Sequence, residues 1–324
     1  MKKNFGKIVG IVLAMCLFAA MAMGSGSSEK GESKNSNTKS EGNAAANQTT
    51  KEADNLAETT SAATDKPAEV RSYTINNEVL VDNDVCTFTI VKAEVDKFWG
   101  FTLDVYCENK TTKPLSFSVD DVIVNGYLSD PLWAKEVAAG KKSNDDINFS
   151  STSFEEIGIT TADEIIFTLK VRDAEDWMAD ALLKKTFTIY PTGLTAETVV
   201  YPERRTSADE QILVSNDKVL VVLIDTKNDN IWGYTLNCYI ENKTDQALMF
   251  SWDDVSVNGF MIDPFWAKEV VPHARCYTGI SFFESDFKKN KIETVDEIEF
   301  SFRIYLSDDW MAEDLLKETM KVKP

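Results

Sequence analysis

Two pairs of neighbouring acidic residues in this sequence have side chains that could take part in catalysis or bind a metal ion. Asp120 and Asp121 stand side by side, and Asp253 and Asp254 repeat the pair further along the chain. Two carboxylates can serve as acid and base in glycoside hydrolysis, or can bind calcium through their oxygens. Neighbouring residues of a strand point to opposite faces, so neither pair can act as acid and base on one substrate. The pattern favours a turn or bulge where a strand changes direction, with calcium binding as the alternative.

Histidine and cysteine chemistry is sparse. The chain has one histidine, His273, which follows Pro272 in a predicted exposed turn. Zinc sites need Cys or His ligands at close spacing, and the sequence has neither a CxxC motif nor a Cys/His cluster. It also has no phosphate-binding or dinucleotide-binding glycine motif. We therefore predict no metal, no cofactor and no catalytic residues, which means a protein that is not an enzyme.

The tryptophans reveal a duplication. Those at 99, 133 and 177 recur at 232, 266 and 310, always 133 residues later, and "DPLWAKEV" at Asp130–Val137 returns as "DPFWAKEV" at Asp263–Val270. With this offset, Asn76–Pro191 aligns with Asp209–Pro324 without a gap, and about two in five positions are identical. A repeat of this length indicates two folding units of the same kind.

Tryptophan also provides the best candidate for a binding surface. Aromatic side chains bind sugars and partner proteins, yet burying a Trp removes roughly 200 Å² from water, about 5 kcal/mol at 25 cal/mol per Å². Core packing is therefore the expectation for the tryptophans at 133, 177, 266 and 310. Trp99 and Trp232 lie beside glycines at predicted hairpin tips, so these two are the candidate binding surface.

Within each copy, apolar residues alternate with polar ones, which is the signature of half-buried strands. The first two runs form a hairpin that closes near Asp96-Lys97, and its equivalent closes near Asp229-Asn230. Further strands are predicted at Leu115–Val119, Val122–Tyr127, Trp133–Val137, Asp146–Phe149, Glu164–Val171 and Thr186–Tyr190. The only helical candidate is the turn at Asp176–Leu183, repeated at Asp309–Leu316. Eight or so short strands per copy predict an all-β fold, an antiparallel sandwich.

A family resemblance rests on two runs of the first copy. "FWGFTLDVYCENKTTKPLSFSVDDVIVNG", followed by "DPLWAKEVAAGKK", resembles the Ig-like, telokin-like domains of unknown function found in secreted proteins and lipoproteins of bacteria. The resemblance covers both copies and implies two tandem antiparallel Ig-like β-sandwich domains. The motifs of the family carry no known chemistry. We assign domain 1 to 71–191, a linker to 192–208 and domain 2 to 209–324.

The N-terminus has the pattern of an export signal. Three lysines among the first seven residues precede an apolar run, Ile8–Met23, and small residues allow cleavage after it, so a signal peptide is predicted at 1–24. "LAMC", ending at Cys16, resembles a bacterial lipobox with Met where a small residue is usual. Lipidation of Cys16 and an uncleaved helix are therefore alternatives to a free secreted form. Residues 25–70 hold almost no large apolar side chain and are predicted to be a disordered stalk.

Cys86 and Cys107 are candidates for a disulfide. In a symmetric hairpin closing at Asp96-Lys97 they lie directly opposite each other on the inward face. An exported protein meets an oxidising compartment, where a bridge closing this loop would contribute roughly 3 kcal/mol. The second copy has Val219 and Ile240 at these positions, an apolar pair that suits the same geometry. Two reduced core cysteines are the alternative.

The charge and the domain organisation together limit the function. A formal net charge of -19 argues against a nucleic-acid partner, because binding phosphates requires Lys and Arg. We predict an exported, non-enzymatic protein, extracellular or attached to the cell envelope, whose two Ig-like domains serve as a binding and adhesion module. The expected partner is an extracellular protein or a cell-wall polysaccharide, and membrane contact is expected only through the N-terminal segment. A carbohydrate-binding module using Trp99 and Trp232, and a purely structural spacer, are the alternatives.

Overall fold

The computed structural model describes residues 71–96, 100–176, 178–208, 210–229, 233–309 and 311–324. These residues belong to one compact unit, 65–324. The predicted signal peptide and stalk, the lipidation candidate Cys16, and the predicted binding residues Trp99 and Trp232 lie outside the described residues. Within the described ranges, no helix is long and apolar enough to cross a membrane.

The described chain is all-β, as predicted, and each copy contributes nine described strands and one short helix. Copy 1 is the aligned segment 76–191, and copy 2 is 209–324. The elements of copy 1 are β1 Asn76–Asp82, β2 Cys86–Asp96, β3 Gly100–Asn109, β4 Leu115–Val124, β5 Tyr127–Leu128, β6 Ala134–Val137, β7 Lys142–Phe149, α1 Ser151–Ile157, β8 Ile165–Asp173 and β9 Leu183–Ile189.

Copy 2 repeats these elements in the same order. They are β10 Gln211–Ser215, β11 Val219–Asp229, β12 Gly233–Asn242, β13 Leu248–Val257, β14 Phe260–Met261, β15 Ala267–Val270, β16 Arg275–Phe282, α2 Glu284–Asn290, β17 Ile298–Leu306 and β18 Leu316–Val322. From β2 to β9, every element recurs with both ends shifted by 133 residues. The sequence repeat is therefore also a structural repeat.

Three sheets form the two copies. One sheet of copy 1 has the strand order β1-β2-β3-β7, and one sheet of copy 2 has the order β14-β13-β17-β18, with β15 beside β13. The third sheet runs through both copies in the order β10-β11-β12-β16-β5-β4-β8-β9, with β6 beside β4. The pair β5–β16 is parallel, and the other strand pairs of the described residues are antiparallel. The shared sheet thus supplies one layer to each copy. The predicted division into separate domains at 192–208 stays a prediction.

The core of each copy lies between its own sheet and the shared sheet. Phe88 and Leu103 from one layer and Phe117 and Leu169 from the other belong to one buried cluster. The equivalent residues of copy 2 also share one cluster, namely Val221, Leu236, Phe250 and Phe302. Burying a large apolar side chain contributes on the order of 2 kcal/mol, so the period-two pattern of the sequence accounts for the two layers.

The acidic pairs form β-bulges, which confirms their interpretation as points where a strand changes direction. The registers of β4 against β8 and of β13 against β17 both shift immediately after Asp120 and Asp253. Asp121 and Asp254 each have φ of 53°, a left-handed conformation in which Asp is enriched. The bulges bend the two strands at equivalent positions.

An Asn-Gly turn joins β4 to β5. Asn125 and Gly126 have φ of 49° and 83°, and two consecutive positive values are the geometry of the tightest hairpin turns. The Asn125 side chain donates to the Thr161 carbonyl at 2.7 Å and accepts from the backbone N–H groups of Asp163 and Glu164 at 2.9 and 3.0 Å. This side chain therefore ties the turn to the start of β8.

The predicted helical turns differ from the observed helices. In its described residues, Asp176–Leu183 contains no helix: the Asp176 carboxylate accepts from the N–H groups of Met178 and Ala179 at 3.3 and 3.2 Å, and β9 begins at Leu183. Such local side-chain bonds compete with helical ones. The helices α1 and α2 lie instead after β7 and β16, where no helix was predicted.

Candidate functional site

The two copies meet where β5 of copy 1 lies parallel to β16 of copy 2. Tyr127 is the register partner of Arg275, and the Arg275 N–H donates to the Gly126 carbonyl at 3.0 Å. Backbone pairing can join strands of almost any sequence, so the surrounding side chains decide which strand is accepted. We call this contact the seam, with β5 as its acceptor edge and β16 as its donor edge.

Three tyrosines and an arginine pack at the seam. The rings of Tyr127 and Tyr277 stack with centroids 5.8 Å apart and planes 6° apart, and Tyr239 meets Tyr277 edge-on at 5.3 Å. The Arg275 guanidinium lies 5.7 Å from the centroid of the Tyr127 ring. Aromatic pairs are worth about 0.5–1.5 kcal/mol beyond the area they bury. Burial raises the pKa of Tyr127 and Tyr239, so both hydroxyls stay protonated at neutral pH.

Apolar side chains continue the cores across the seam. Val222 and Tyr239 of copy 2 are buried and belong to the cluster of copy 1, and Ile123 of copy 1 belongs to the cluster of copy 2. Separating the copies would expose this surface to water. The seam is therefore part of the hydrophobic core and holds the copies in one arrangement.

The predicted linker packs against the acceptor edge. The Tyr201 hydroxyl donates to the Glu164 carboxylate, and burial is the main reason why the pKa of Tyr201 is raised. The Tyr201 ring lies against Gly126, where an added Cβ would approach it to 3.0 Å at φ of +83°. Only glycine combines this backbone conformation with such a close contact.

Hydrogen bonds also hold the linker against the seam. The Pro202 carbonyl accepts from the Tyr127 hydroxyl and from Arg275 Nη1, both at 3.3 Å. Arg204 binds Glu210 with two parallel hydrogen bonds of 2.7 and 2.9 Å, which lower the pKa of the Glu210 carboxyl. The linker therefore joins both copies through fixed contacts.

Two small clefts flank the seam. One, of ≈ 250 Å³, is lined by Arg205, Asp225 and Tyr277 among others, and a second, of ≈ 170 Å³, is lined by Asp130 and Lys268 among others. The Lys268 ammonium lies 3.1 Å from the Asp130 carboxylate across the second cleft. Both clefts are smaller than the roughly 300–1,000 Å³ typical of small-molecule sites.

The acceptor edge is open in copy 2. Strand β14 is the equivalent of β5, yet among the described strands it pairs only with β13. Phe260 is 46% exposed and Met261 69%, whereas Tyr127 at the equivalent position is fully buried. Among the described residues other than its chain neighbours, none lies within 4 Å of a Cβ added to Gly259, whereas the Tyr201 ring covers Gly126. An exposed apolar strand edge is a template for pairing with another strand.

The predicted acidic residues make ion pairs. Asp120 pairs with Lys170, and Asp253 lies 3.7 Å from Arg303. Across the ranges that the structure describes, no group of three or more His, Cys, Asp or Glu side chains could hold a metal ion. Strand geometry and surface ion pairs thus explain the acidic residues at the bulges.

His273 lies in an exposed turn. It has φ of 58°, and its Nε2 lies 2.8 Å from the Asp245 carboxylate. Its position in copy 1 is Gly140, which also has a positive φ, of 63°. The turn therefore requires this backbone conformation in both copies, whichever side chain it carries.

The register of the cysteines differs from the prediction. Cys86 is opposite Asn109 and Cys107 is opposite Phe88, because the hairpin tip is longer than predicted and β2 carries a bulge. Both side chains are buried free thiols. Burial raises the pKa of Cys86 to about 11 and that of Cys107 to about 12.

The described tryptophans of the repeated octapeptide pack inward. Trp133 is buried, with its ring 6.2 Å from Phe88, and its Nε1 has no hydrogen-bond partner within the part of the chain that the structure describes. Trp266 is partly buried, and its Nε1 donates to Thr278 Oγ1 at 3.3 Å. In the repeated octapeptide, the tryptophan and the final valine, Val137 or Val270, pack inward, whereas Leu132 and Phe265 are exposed. The octapeptide is thus only in part a piece of core. The binding surface predicted at Trp99 and Trp232 stays a prediction.

The seam was not predicted from the sequence, although one signal of it was present. Copy 2 has Val222 and Tyr277 where copy 1 has Thr89 and Asn144. These positions lie on the outer face of their sheets, which is normally polar. An apolar outer face in only one copy indicates that something covers it.

Comparison with known proteins identifies no family for this chain. No protein-family model and no curated protein matches the chain. Among solved structures, the chain is similar to the Salmonella enterica SafA pilin in complex with the SafB chaperone, with 13% identity, 76% of this chain and 100% of that chain covered, and a TM-score of 0.19. It is also similar to red sea bream transglutaminase, with 10% identity, 75% and 31% covered, and a TM-score of 0.20. The class that the strands define is an all-β protein of predominantly antiparallel sheets, compatible with the Ig-like domains that the sequence resembles.

Proposed function

We propose that this chain is a non-enzymatic binding and adhesion module, exported and held at or outside the cell envelope. The basic and apolar N-terminus supports export, and the polar composition of 25–70 suits a stalk. The fused copies suit a rigid body that presents one surface to a partner, which is an extracellular protein or a cell-wall polysaccharide.

The open acceptor edge of copy 2 carries this proposal. The same edge already binds a strand in copy 1, so its ability to do so is built into the repeat. In copy 2 the edge keeps two large apolar side chains, Phe260 and Met261, in contact with water. Apolar side chains at an unprotected strand edge favour aggregation, and a partner that covers the edge accounts for their presence.

A retention assay tests the proposal. The full chain is incubated with cell-envelope proteins and with insoluble cell-wall polysaccharides, next to the variant Phe260→Asp/Met261→Asp. We expect about a tenfold loss of retention, because the charged edge can no longer be desolvated. The control is Met178→Asp/Met311→Asp, which makes the same chemical change at two other exposed positions and should retain wild-type binding.

Two results would overturn the proposal. Equal retention of the edge variant and the wild type would remove the acceptor edge from the binding surface. A hydrolytic activity that purifies with the full chain would show that the protein is an enzyme.

A further inference from the structure

In each copy, one strand edge of the kind that forms the seam is unpaired among the described strands. The acceptor edge of copy 2, β14, is open, as described above. The strand equivalent to the donor β16 is β7 of copy 1, which lies at the edge of its sheet and pairs only with β3 among the described strands. One chain therefore carries an unpaired acceptor and an unpaired donor of the same type of contact.

The open acceptor keeps the features that the seam uses. Gly259 has φ of +81°, Phe260 provides the ring, and Asp263 provides the carboxylate. In copy 1 the equivalent carboxylate, Asp130, binds Lys268 of the donor at 3.1 Å. A donor that approaches β14 in the same way needs a basic side chain facing Asp263.

The open donor keeps the matching charges. Lys135 and Lys142 occupy the positions of Lys268 and Arg275, the two basic residues that copy 2 brings to the seam. Their present partners are carboxylates of copy 1 at 3.2 and 3.5 Å. Such surface ion pairs are weak and exchange readily. The donor of copy 1 therefore complements the acceptor of copy 2 in charge.

We propose that the chain associates head to tail with a second copy of itself, with β7 of one chain pairing in parallel with β14 of the next. The inference rests on the proposed function, because it names the partner of the same edge. In the register of the seam, Lys142 lies opposite Phe260, and the Lys142 N–H donates to the Gly259 carbonyl. The contact is heterologous, so it leaves an open donor and an open acceptor at the ends of every assembly.

Substitutions on the donor side, among them Thr89 in place of the buried Val222, make this contact weaker than the seam. Tyr277 stacks on Tyr127 within the chain, whereas Asn144 takes the position of Tyr277 on β7. No ring then stacks on Phe260, and no covalent linker raises the local concentration of the two edges. Association is therefore concentration-dependent, and restoring the ring strengthens it.

Sedimentation velocity of the full chain, from micromolar to millimolar concentration, tests the inference. We expect the weight-average mass to rise with concentration beyond that of a dimer. Phe260→Asp/Met261→Asp should weaken association about tenfold or more, and Asn144→Tyr should strengthen it about tenfold. The controls are Met178→Asp/Met311→Asp and Thr319→Tyr, which place the same changes at exposed positions away from both edges. Circular dichroism confirms that each variant is folded.

The outcomes separate the two proposals. A wild-type chain and an Asn144→Tyr chain that both stay monomeric overturn the inference, and so does a mass that stops at a dimer and ignores Asn144→Tyr. If the chain is monomeric but its retention on envelope material still depends on Phe260 and Met261, the inference fails while the proposed function stands. If Phe260→Asp/Met261→Asp weakens association and Asn144→Tyr strengthens it, a second copy of the chain binds this edge.

Discussion

At the scale of single residues, the cysteines connect the fold to the environment of the protein. Cys86, Cys107, Cys238 and Cys276 are buried free thiols in the structure. Burial raises the pKa of Cys86 to about 11 and those of the other three to about 12. The thiolate is the reactive form, so burial lowers reactivity both by restricting access and by suppressing ionisation.

We expect the native protein to resist thiol reagents at pH 8. The thiolate fraction there is on the order of 10⁻³ to 10⁻⁴. As long as the pH stays below the pKa, this fraction rises tenfold with each unit of increase in pH, so labelling should accelerate as pH rises. The measurement is reagent incorporation by mass spectrometry in a Cys16→Ser background, where the four described thiols remain. After unfolding without reductant, all four should react. Incorporation at only Cys238 and Cys276 would show instead that Cys86 and Cys107 form the predicted disulfide.

At the scale of elements, the same hairpin turn occurs in two different surroundings. Asn258 repeats the bonds of Asn125: it donates to the Thr294 carbonyl at 2.7 Å and accepts from two N–H groups at 2.8 and 3.1 Å. Its φ is 49°, as in copy 1. The backbone partners of Asn125 are buried, whereas those of Asn258 are partly or fully exposed. The two copies thus form a matched pair in which only burial differs.

We expect Asn125→Ala to destabilise the protein by about 3 kcal/mol, about 2 kcal/mol more than Asn258→Ala. Both substitutions place Ala in a left-handed conformation and remove three hydrogen bonds. In copy 1 the freed backbone groups stay buried without partners, whereas in copy 2 water replaces the side chain. The measurement is the free energy of unfolding in urea at constant m-value. Equal losses for the two variants would contradict this account of the turn.

Local patterns explain which elements the sequence predicted. Most strands with period two, the hairpin of β2 and β3 and the bulged acidic pairs depend on neighbouring residues, and these predictions were confirmed. The strand predicted at Val122–Tyr127 was wrong, because β4 runs on to Val124 and the Asn125-Gly126 turn follows it. The register of β2 was wrong because Asp96 pairs with Gly100, so the hairpin closes later than predicted, and the bulge between Ile90 and Lys92 offsets this shift only in part. The helix α1 was missed because seven residues are too few to show a helical period, although Gly158, left-handed at its end, is a typical stop signal.

The seam could not be predicted from local patterns. Strands β5 and β14 are almost identical in type, Tyr-Leu and Phe-Met, yet one is covered and the other is open. Burial of such a short edge depends on which strand meets it, and that is decided by contacts between residues far apart in sequence. Comparing the outer faces of the two copies, with Thr89 and Asn144 in one and Val222 and Tyr277 in the other, gives a sequence signal of this contact.

At the scale of the whole molecule, the shared sheet and the continuous core couple the two copies. Unfolding either copy exposes the side chains that the other copy covers, including Val222, Tyr239 and Ile123. Each copy alone would lose this burial and the backbone pairing of β5 with β16. The coupling free energy therefore favours a single transition in which both copies unfold together.

We expect the wild-type chain to unfold in one cooperative transition in urea, and Arg275→Ala/Tyr277→Ala to unfold in two. This variant removes the cation–π contact and the Tyr277 ring, which packs against the core of copy 1, but keeps the buried residues Val222, Tyr239 and Ile123. We therefore expect the free energy that couples the copies to fall below the difference in stability between them. The control is Lys142→Ala/Asn144→Ala, which changes the equivalent positions of copy 1 and should keep one transition. Fluorescence and circular dichroism, measured at a concentration where the chain is monomeric, should coincide for the wild type and the control and diverge for the seam variant. Coincident curves for all three proteins would mean that the buried apolar residues couple the copies without help from the aromatic stack.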